Sequence, residues 1–404
     1  MQKEVFSPSE QQWLRDKVPA VRAALLGNLY RFDQYPASPL LKAGDIYAGI
    51  WLEHNQDNLF LADYAPEAAW ASQDAFMHHQ RADGLLPFAL PCDFDQDSFF
   101  KAPVVYWHTQ CIWPFTRCAW EIARKTGRPE ADIARLYQAG TRYDRWFEQF
   151  RNRRQTGLAE MFCEYDTGHD NDPRVTDGGI PHSCPDNNSV NMPDLPLMPI
   201  LSVDLSAMLY GNRVALAEVA DHLGIHDEAS AWREKAENIR LAIRQYLYDA
   251  GDGFYYDRDT FGFRKYRTEH ITRLFLNHVL TQAEFDHVYD RYFAQPGKEF
   301  NSPFPIPSMS PDDPHFVRDC SKNSWGSNSQ ALTTLRALFW MDHYQRGDDL
   351  DALLSRWLRA VLQYDSKFPQ EINPFDGSPV GSATNYSPSL IIFLEAVKRL
   401  GIDR

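Results

Sequence analysis

The sequence predicts an all-α fold, an (α/α)6 barrel or toroid whose long loops form the rim of an active site. Three observations carry this: a succession of helical apolar spacings with few strand signals, helix ends that repeat in kind, and two long loops rich in Pro, Asp, Asn and His.

Apolar residues recur at spacings of three and four over roughly 9–30, 66–80, 110–126, 130–151, 201–224, 226–248, 268–280, 281–294, 325–346, 349–364 and 386–400, and each run predicts a helix. The segment GDGFYYDRD at 251–259 has the makings of a short hairpin. One helix is expected to stop at Gly127 and the next to start at Pro129-Glu130-Ala131; a second such junction joins Gly224 to Asp227-Glu228-Ala229. Glycine closes a helix in the left-handed conformation and an acid suits the positive N-terminus of the next, as antiparallel helical hairpins require. About ten to twelve helices can close into a barrel or stack as an open solenoid. The loops 152–200 and 295–324 favour the barrel, because a scaffold solenoid shows a tighter repeat and long irregular loops in a domain usually carry function. A single catalytic barrel over residues 1–404 is therefore expected.

Composition narrows the function. With 44% hydrophobic and 14% aromatic residues the chain can bury a sizeable core. A net charge of -14, and no basic run longer than Arg153-Arg154, argue against nucleic acid as a partner. No stretch approaches the ~18 consecutive apolar residues of a membrane span. Six cysteines without a CxxC pair, and an N-terminus without an apolar leader core, suggest a reducing, cytoplasmic setting. Neither cysteines nor histidines show metal-ligand spacing, and no metal or cofactor is predicted. GxSxG, GxGxxG, P-loop and HExxH motifs are absent.

The chemistry-bearing residues fall in loops. Glu164 to Arg174 reads EYDTGHDNDPR, dense in acids around a glycine, and Asp170 stands at its centre. Composition alone leaves a solvated turn or an Asp/Asn-rich calcium loop open, although the EF-hand spacing is missing. Phe368 to Gly377 sets Glu371 among apolar, aromatic and turn residues, where a cleft or a plain surface turn would serve equally. Aromatic and amide residues gather at Trp51 with Asp57 and Asn58, at Trp107-His108-Thr109-Gln110, at Trp325 with Asn323 and Asn328, and at Tyr386. Sugars are bound by such faces and planar hydrogen-bonding groups, yet a lone Trp is more often core. Two carboxyls from loops far apart in sequence are what glycoside hydrolysis needs, one to protonate the leaving oxygen and one to attack or to activate water.

These segments resemble a known family. DTGHDNDPR, Asp166 to Arg174, is similar to the E-S-G-x-D-N-S-P-R loop of the (α/α)6 glycosidases that include glycoside hydrolase family 63, the mannosylglycerate and glucosylglycerate hydrolases and, more distantly, the inverting trehalases. SMSPDDP, Ser308 to Pro314, resembles their S-x-S-P-D-D-P segment, and EINPFDG, Glu371 to Gly377, their E-x-Y-N-P-x-T-G stretch. Trp107 to Gln110 and DGLLP, Asp83 to Pro87, match more weakly. The resemblance implies Asp170 as general acid and Glu371 as general base, inversion at the anomeric carbon, and a short α-glucoside or α-mannoside of disaccharide or glycosyl-glycerate type as substrate. Trp51, Asp57, Trp107, Gln110, Asp166, His169, Asn171, Arg174, Trp325 and Tyr386 are the candidates for substrate contacts. Departures are His169 before the acid, Asp166-Thr167-Gly168 for Glu-Ser-Gly, Gln110-Cys111-Ile112 for Gln-Pro-Pro, and the altered Trp51 to Phe60 segment. A sugar epimerase or unsaturated-uronyl hydrolase on the same barrel, or a helical-repeat binding protein, are the alternatives.

Overall fold

The computed structural model describes residues 3–110, 113–322, 324–365 and 367–403; Cys111, Ile112 and Asn323, named above, lie outside the described residues. Among these residues twelve helices of five residues or more follow one another: α1 (Pro8–Gly27), α2 (Asp57–Leu61), α3 (Pro66–His78), α4 (Phe115–Thr126), α5 (Glu130–Phe150), α6 (Val203–His222), α7 (His226–Leu247), α8 (Thr272–Leu276), α9 (Gln282–Tyr292), α10 (Ala331–Ala337), α11 (Gly347–Gln363) and α12 (Ser387–Arg399). The even-numbered helices touch in order, α2 to α4, α6, α8, α10 and α12, and α12 returns to α2. This closed inner ring rules out the open solenoid. The odd-numbered helices form the outer layer: α1 lies on α12, α3 on α2 and α4, α5 on α4 and α6, α7 on α6, and α11 on α10 and α12. On the outer helix α9, Phe285 packs 4.8 Å from Phe275 of α8.

The layers are written in the sequence differently. Outer α7 buries Ala229, Trp232, Ala236, Ile239, Ile243 and Leu247, a single stripe at spacings of three and four. Inner α6, enclosed on all sides, buries almost every residue from Val203 to Leu209 and again from Ala215 to Ala217. Ser202 caps α6 by accepting from the Leu205 amide, and Thr281 with Glu284 forms a capping box on α9. Gly127 and Gly224 close α4 and α6 with φ of 66° and 74°, as the hairpin reading expects.

Several expected elements change shape. The run 325–346 is helical only over Ala331–Ala337, because Ser329–Gln330 is drawn into a sheet with Glu371–Ile372 and Pro379–Val380. The run 268–280 shrinks to a 3-10 turn, Glu269–Ile271, followed by α8. The expected start at 110 gives way to a start at Phe115, after Pro114. After α1 the chain makes an unforeseen hairpin, Leu29–Phe32 with Tyr35–Leu41. The hairpin near 251–259 forms between Tyr248–Asp249 and Phe254–Tyr255.

One rim collects the approaches to all six inner helices. Glu53 precedes α2, Gln110 precedes α4, Asp204 opens α6, Glu269 leads into α8, and Gln330 and Tyr386 stand at the N-caps of α10 and α12. No described helix is long and apolar enough to cross a membrane.

Candidate active site

Asp170 follows the 3-10 turn Glu164–Thr167 and Gly168, whose φ of 70° reverses the chain. A Cβ on Gly168 would stand 2.5 Å from Oε2 of Glu53, so the glycine lets a second carboxylate press against the acid's own loop. Asp170 opens onto the cavity, while its Oδ1 is shielded and without a hydrogen-bond partner. Burial, then the charges of Glu53 and Glu164, push its carboxyl well above the ordinary carboxylate range.

Glu371 opens the strand Glu371–Ile372 and pairs in register with Gln330. Its Oε2 accepts from the Ser324 amide at 3.2 Å and from Gln330 Nε2 at 2.5 Å; Oε1 is buried without a partner. Burial pushes the carboxyl up to about 7, against the pull of those donors and of Asn328.

The two acids are tied through two consecutive backbone amides. Ser324 donates its amide to Glu371, and the next amide, of Trp325, donates to Oδ1 of Asn171 at 3.0 Å. Asn171 is the residue after Asp170, held at a φ of 57° by its own amide bonded to Glu164 Oε1 at 2.7 Å. Both acids also act on one hydroxyl: burial, then Asp170, Glu371 and Glu53, push the Tyr47 phenol above its usual range, and Tyr47 hydrogen-bonds Gln370.

Asp170 stands where two spaces meet. A vestibule of about 430 Å³ is lined by Tyr47, Trp51, Phe88, Asp93, Phe99, Phe100, His108, Gln110 and Tyr165. A narrower recess continues inward, lined by Tyr47, Trp51, Glu53, His54, Gly168, Trp325, Gln370 and Tyr386. Glu371 lies fully buried beside the Gln370 and Trp325 wall of that recess.

Of the residues expected to touch substrate, Trp51, Gln110, Trp325 and Tyr386 line these spaces. Trp107 backs the vestibule, 5.6 Å from Phe100 and 6.1 Å from Phe88. Asn171 holds the Trp325 amide.

Four expectations are corrected by burial. Asp57 is locked between His54 and Gln56 at 3.2 and 3.1 Å. Asp166 is fully buried, accepts from Arg151 Nη2 at 3.0 Å and from the Thr109 and Phe162 amides, and is held below the usual range because these donors outweigh its burial. Arg174 is fully buried between Asp204 at 2.9 Å and Asp257 at 2.6 Å. His169 is sandwiched beneath Trp325, its Nδ1 accepting from Arg174 at 2.7 Å and its Nε2 meeting Glu269 at 2.9 Å; burial lowers it to about 4, so the ring is neutral. These groups brace the floor and do not line the cavity.

Sequence reasoning passed over Glu53, His54, Tyr47, Tyr165, Phe88, Phe100, Gln330 and Gln370. A signal existed for the first two, since Trp51 to Phe60 was already aligned with a family segment and Glu53 is its first acid. Glu53 accepts from Gln110 at 3.3 Å and pairs with Arg336 at 3.3 Å.

A family model, the mannosylglycerate hydrolase MGH1-like glycoside hydrolase domain, matches residues 59–389. A glycoside hydrolase family 63 mannosylglycerate hydrolase from Thermus thermophilus, solved with glucose, superposes with a TM-score of 0.71 at 17% identity, covering 95% of this chain and 100% of that one. The same enzyme with Tris and D-glycerate gives 0.70 at 16% identity with the same coverage. A neutral trehalase from Saccharomyces cerevisiae gives 0.64 at 12% identity, covering 99% of this chain and 80% of that one. No curated protein matches the chain by sequence. Helices closed in a double ring and a family match over most of the chain lead to one conclusion: the protein belongs to the MGH1-like glycoside hydrolases and is a glycosidase of the (α/α)6 barrel.

Proposed function

We propose that the chain hydrolyses a short α-glucoside or α-mannoside with inversion, Asp170 serving as general acid and Glu371 as general base. The observation that carries this is the pairing of two carboxyls from separate loops, each with one buried oxygen unpaired, gauged by the consecutive amides of Ser324 and Trp325. Burial and the neighbouring acids raise the Asp170 carboxyl well above the ordinary carboxylate range, which favours the protonated form a general acid needs. It protonates the glycosidic oxygen as that bond breaks. Glu371, ionised above about pH 7, takes a proton from a water that attacks the anomeric carbon from the opposite face. Inversion needs roughly 6.5–9.5 Å between the carboxyls to seat that water. The glycone then occupies the recess and the leaving group the vestibule, with Asp170 at the boundary.

The test is hydrolysis of α-gluco- and α-mannosides, including glycerate and trehalose-type disaccharides, followed by proton NMR. The attacked sugar should appear first as its β-anomer, so that a trehalose gives one β- and one α-glucose. Asp170→Asn and Glu371→Gln should each lower kcat by about 10²–10⁴-fold. Release of the attacked sugar as the α-anomer, which for a trehalose means α-glucose from both halves, or near-normal turnover in either variant, would sink the reading.

A further inference from the structure

The vestibule holds aromatic rings and an acid, but no described lysine or arginine. Trp51, Phe88, Phe100 and Tyr165 form its walls, Phe99 stands 69% exposed at its mouth, and Asp93 is its charged lining residue. Among the described residues no lysine or arginine lines either the vestibule or the recess. The guanidinium groups nearest the floor are buried and engaged: Arg336 with Glu53 at 3.3 Å, Arg273 with Glu269 at 2.8 Å, and Arg174 with Asp204 at 2.9 Å. His108, stacked on Phe88 at 3.8 Å, is lowered to about 4 by burial and brings no positive charge at neutral pH. The lip is acidic on balance, since Asp93 is followed on the same loop by exposed Asp95 and Asp97 against one exposed lysine, Lys101.

A carboxylate entering this space would be desolvated without a cation to meet it and would face the carboxylate of Asp93. An uncharged pyranose or polyol meets none of these penalties. Its C–H face suits the negative faces of the aromatic rings, and its hydroxyls find Gln110 and the Tyr165 phenol.

Resting on the hydrolase reading above, we infer that the leaving group taken by this chain is an uncharged sugar or polyol stacked on the vestibule rings, and not a carboxylate-bearing aglycone such as glycerate.

The experiment uses matched glycosides that differ only in the aglycone: α-glucosyl- and α-mannosyl-glycerol against the corresponding glycerates. In wild type, kcat/KM should favour the glycerol form by about tenfold or more, and calorimetry on Asp170→Asn should show the same order in Kd. Phe100→Arg, which places a cation in the wall, should narrow the ratio about tenfold by improving the glycerate form, a gain that misfolding cannot produce. Equal or better use of the glycerates by wild type overturns the inference and leaves the hydrolase reading standing. Tighter binding of the glycerols with no hydrolysis of any glycoside does the reverse. Absence of both binding and turnover overturns both, and an unchanged ratio in folded Phe100→Arg overturns the charge argument.

Discussion

Gln330 stands directly across the strand ladder from Glu371 and donates its side-chain amide to Oε2 at 2.5 Å, leaving Oε1 free. The ladder thus fixes which oxygen is occupied and which is the one the proposed mechanism would turn to a water, and the amide partly offsets the burial that raises the carboxyl to about 7.

The pH profile follows from that bond. A base works only when ionised, so kcat/KM should rise as pH passes through about 7 and fall again at higher pH as Asp170 loses the proton it must deliver. Gln330→Met removes a donor that favours the charged form. A hydrogen bond to a charged group is worth about 1.5–3 kcal/mol, so the acid limb should move upward by on the order of one pH unit. A downward shift would contradict the role given to Gln330.

Stability should rise when Asp170 is neutralised. Its folded pKa lies above the ordinary 3.8, so the folded state binds the proton more tightly than the unfolded one and loses stability as pH climbs from about 4 towards the folded value. Asp170→Asn should therefore unfold at higher urea than wild type at pH 8, by at least about 1 kcal/mol, with the gap closing towards pH 4. Equal urea midpoints at pH 8 would deny the burial of a costly charge.

Gly168→Ala tests the contact between the acid's loop and Glu53. The added methyl would meet the Glu53 carboxylate at 2.5 to 2.8 Å in a left-handed backbone. A loss of about 1–3 kcal/mol in stability is expected, together with a fall in kcat of roughly 10–100-fold from displacement of Asp170. Unchanged kcat in this variant would separate Glu53 from catalysis.

Asp166 separates bracing from binding. Asp166→Ala strands the buried Arg151 guanidinium and should destabilise by about 3–5 kcal/mol, yet leave KM of the remaining folded enzyme near wild type. Trp51→Ala should do the opposite, raising KM with a smaller stability loss. Measuring KM beside urea midpoints for both variants decides between the two roles.

The loops that carry Asp170 and Glu371 were legible in the sequence because polar loops between helices stand out against periodic apolar runs. Their neighbours misled. Asp166, His169 and Arg174 lie within a few residues of Asp170, but the left-handed Gly168 and the short helical turn Pro173–Thr176 send their side chains downward, Asp166 and Arg174 into ion pairs and the neutral His169 into hydrogen bonds. Proximity in sequence was read as proximity to substrate.

The fold shows the same divide. Outer helices such as α7 announce themselves by one buried stripe, whereas the residues after Ala337 are apolar for the sake of the core and were read as more helix. The pairing of Ser329–Gln330 with Glu371–Ile372 was invisible, because strands of two residues carry no period. With it went the orientation of Glu371 and the role of Gln330.

All six inner helices begin at the catalytic rim, so the turns at Gly127 and Gly224, where α4 and α6 end, belong to the opposite face. That face is a handle: fluorophores, affinity tags or surface tethers placed at these turns would report on the enzyme or immobilise it with its mouth outward, a barrel's length from the chemistry.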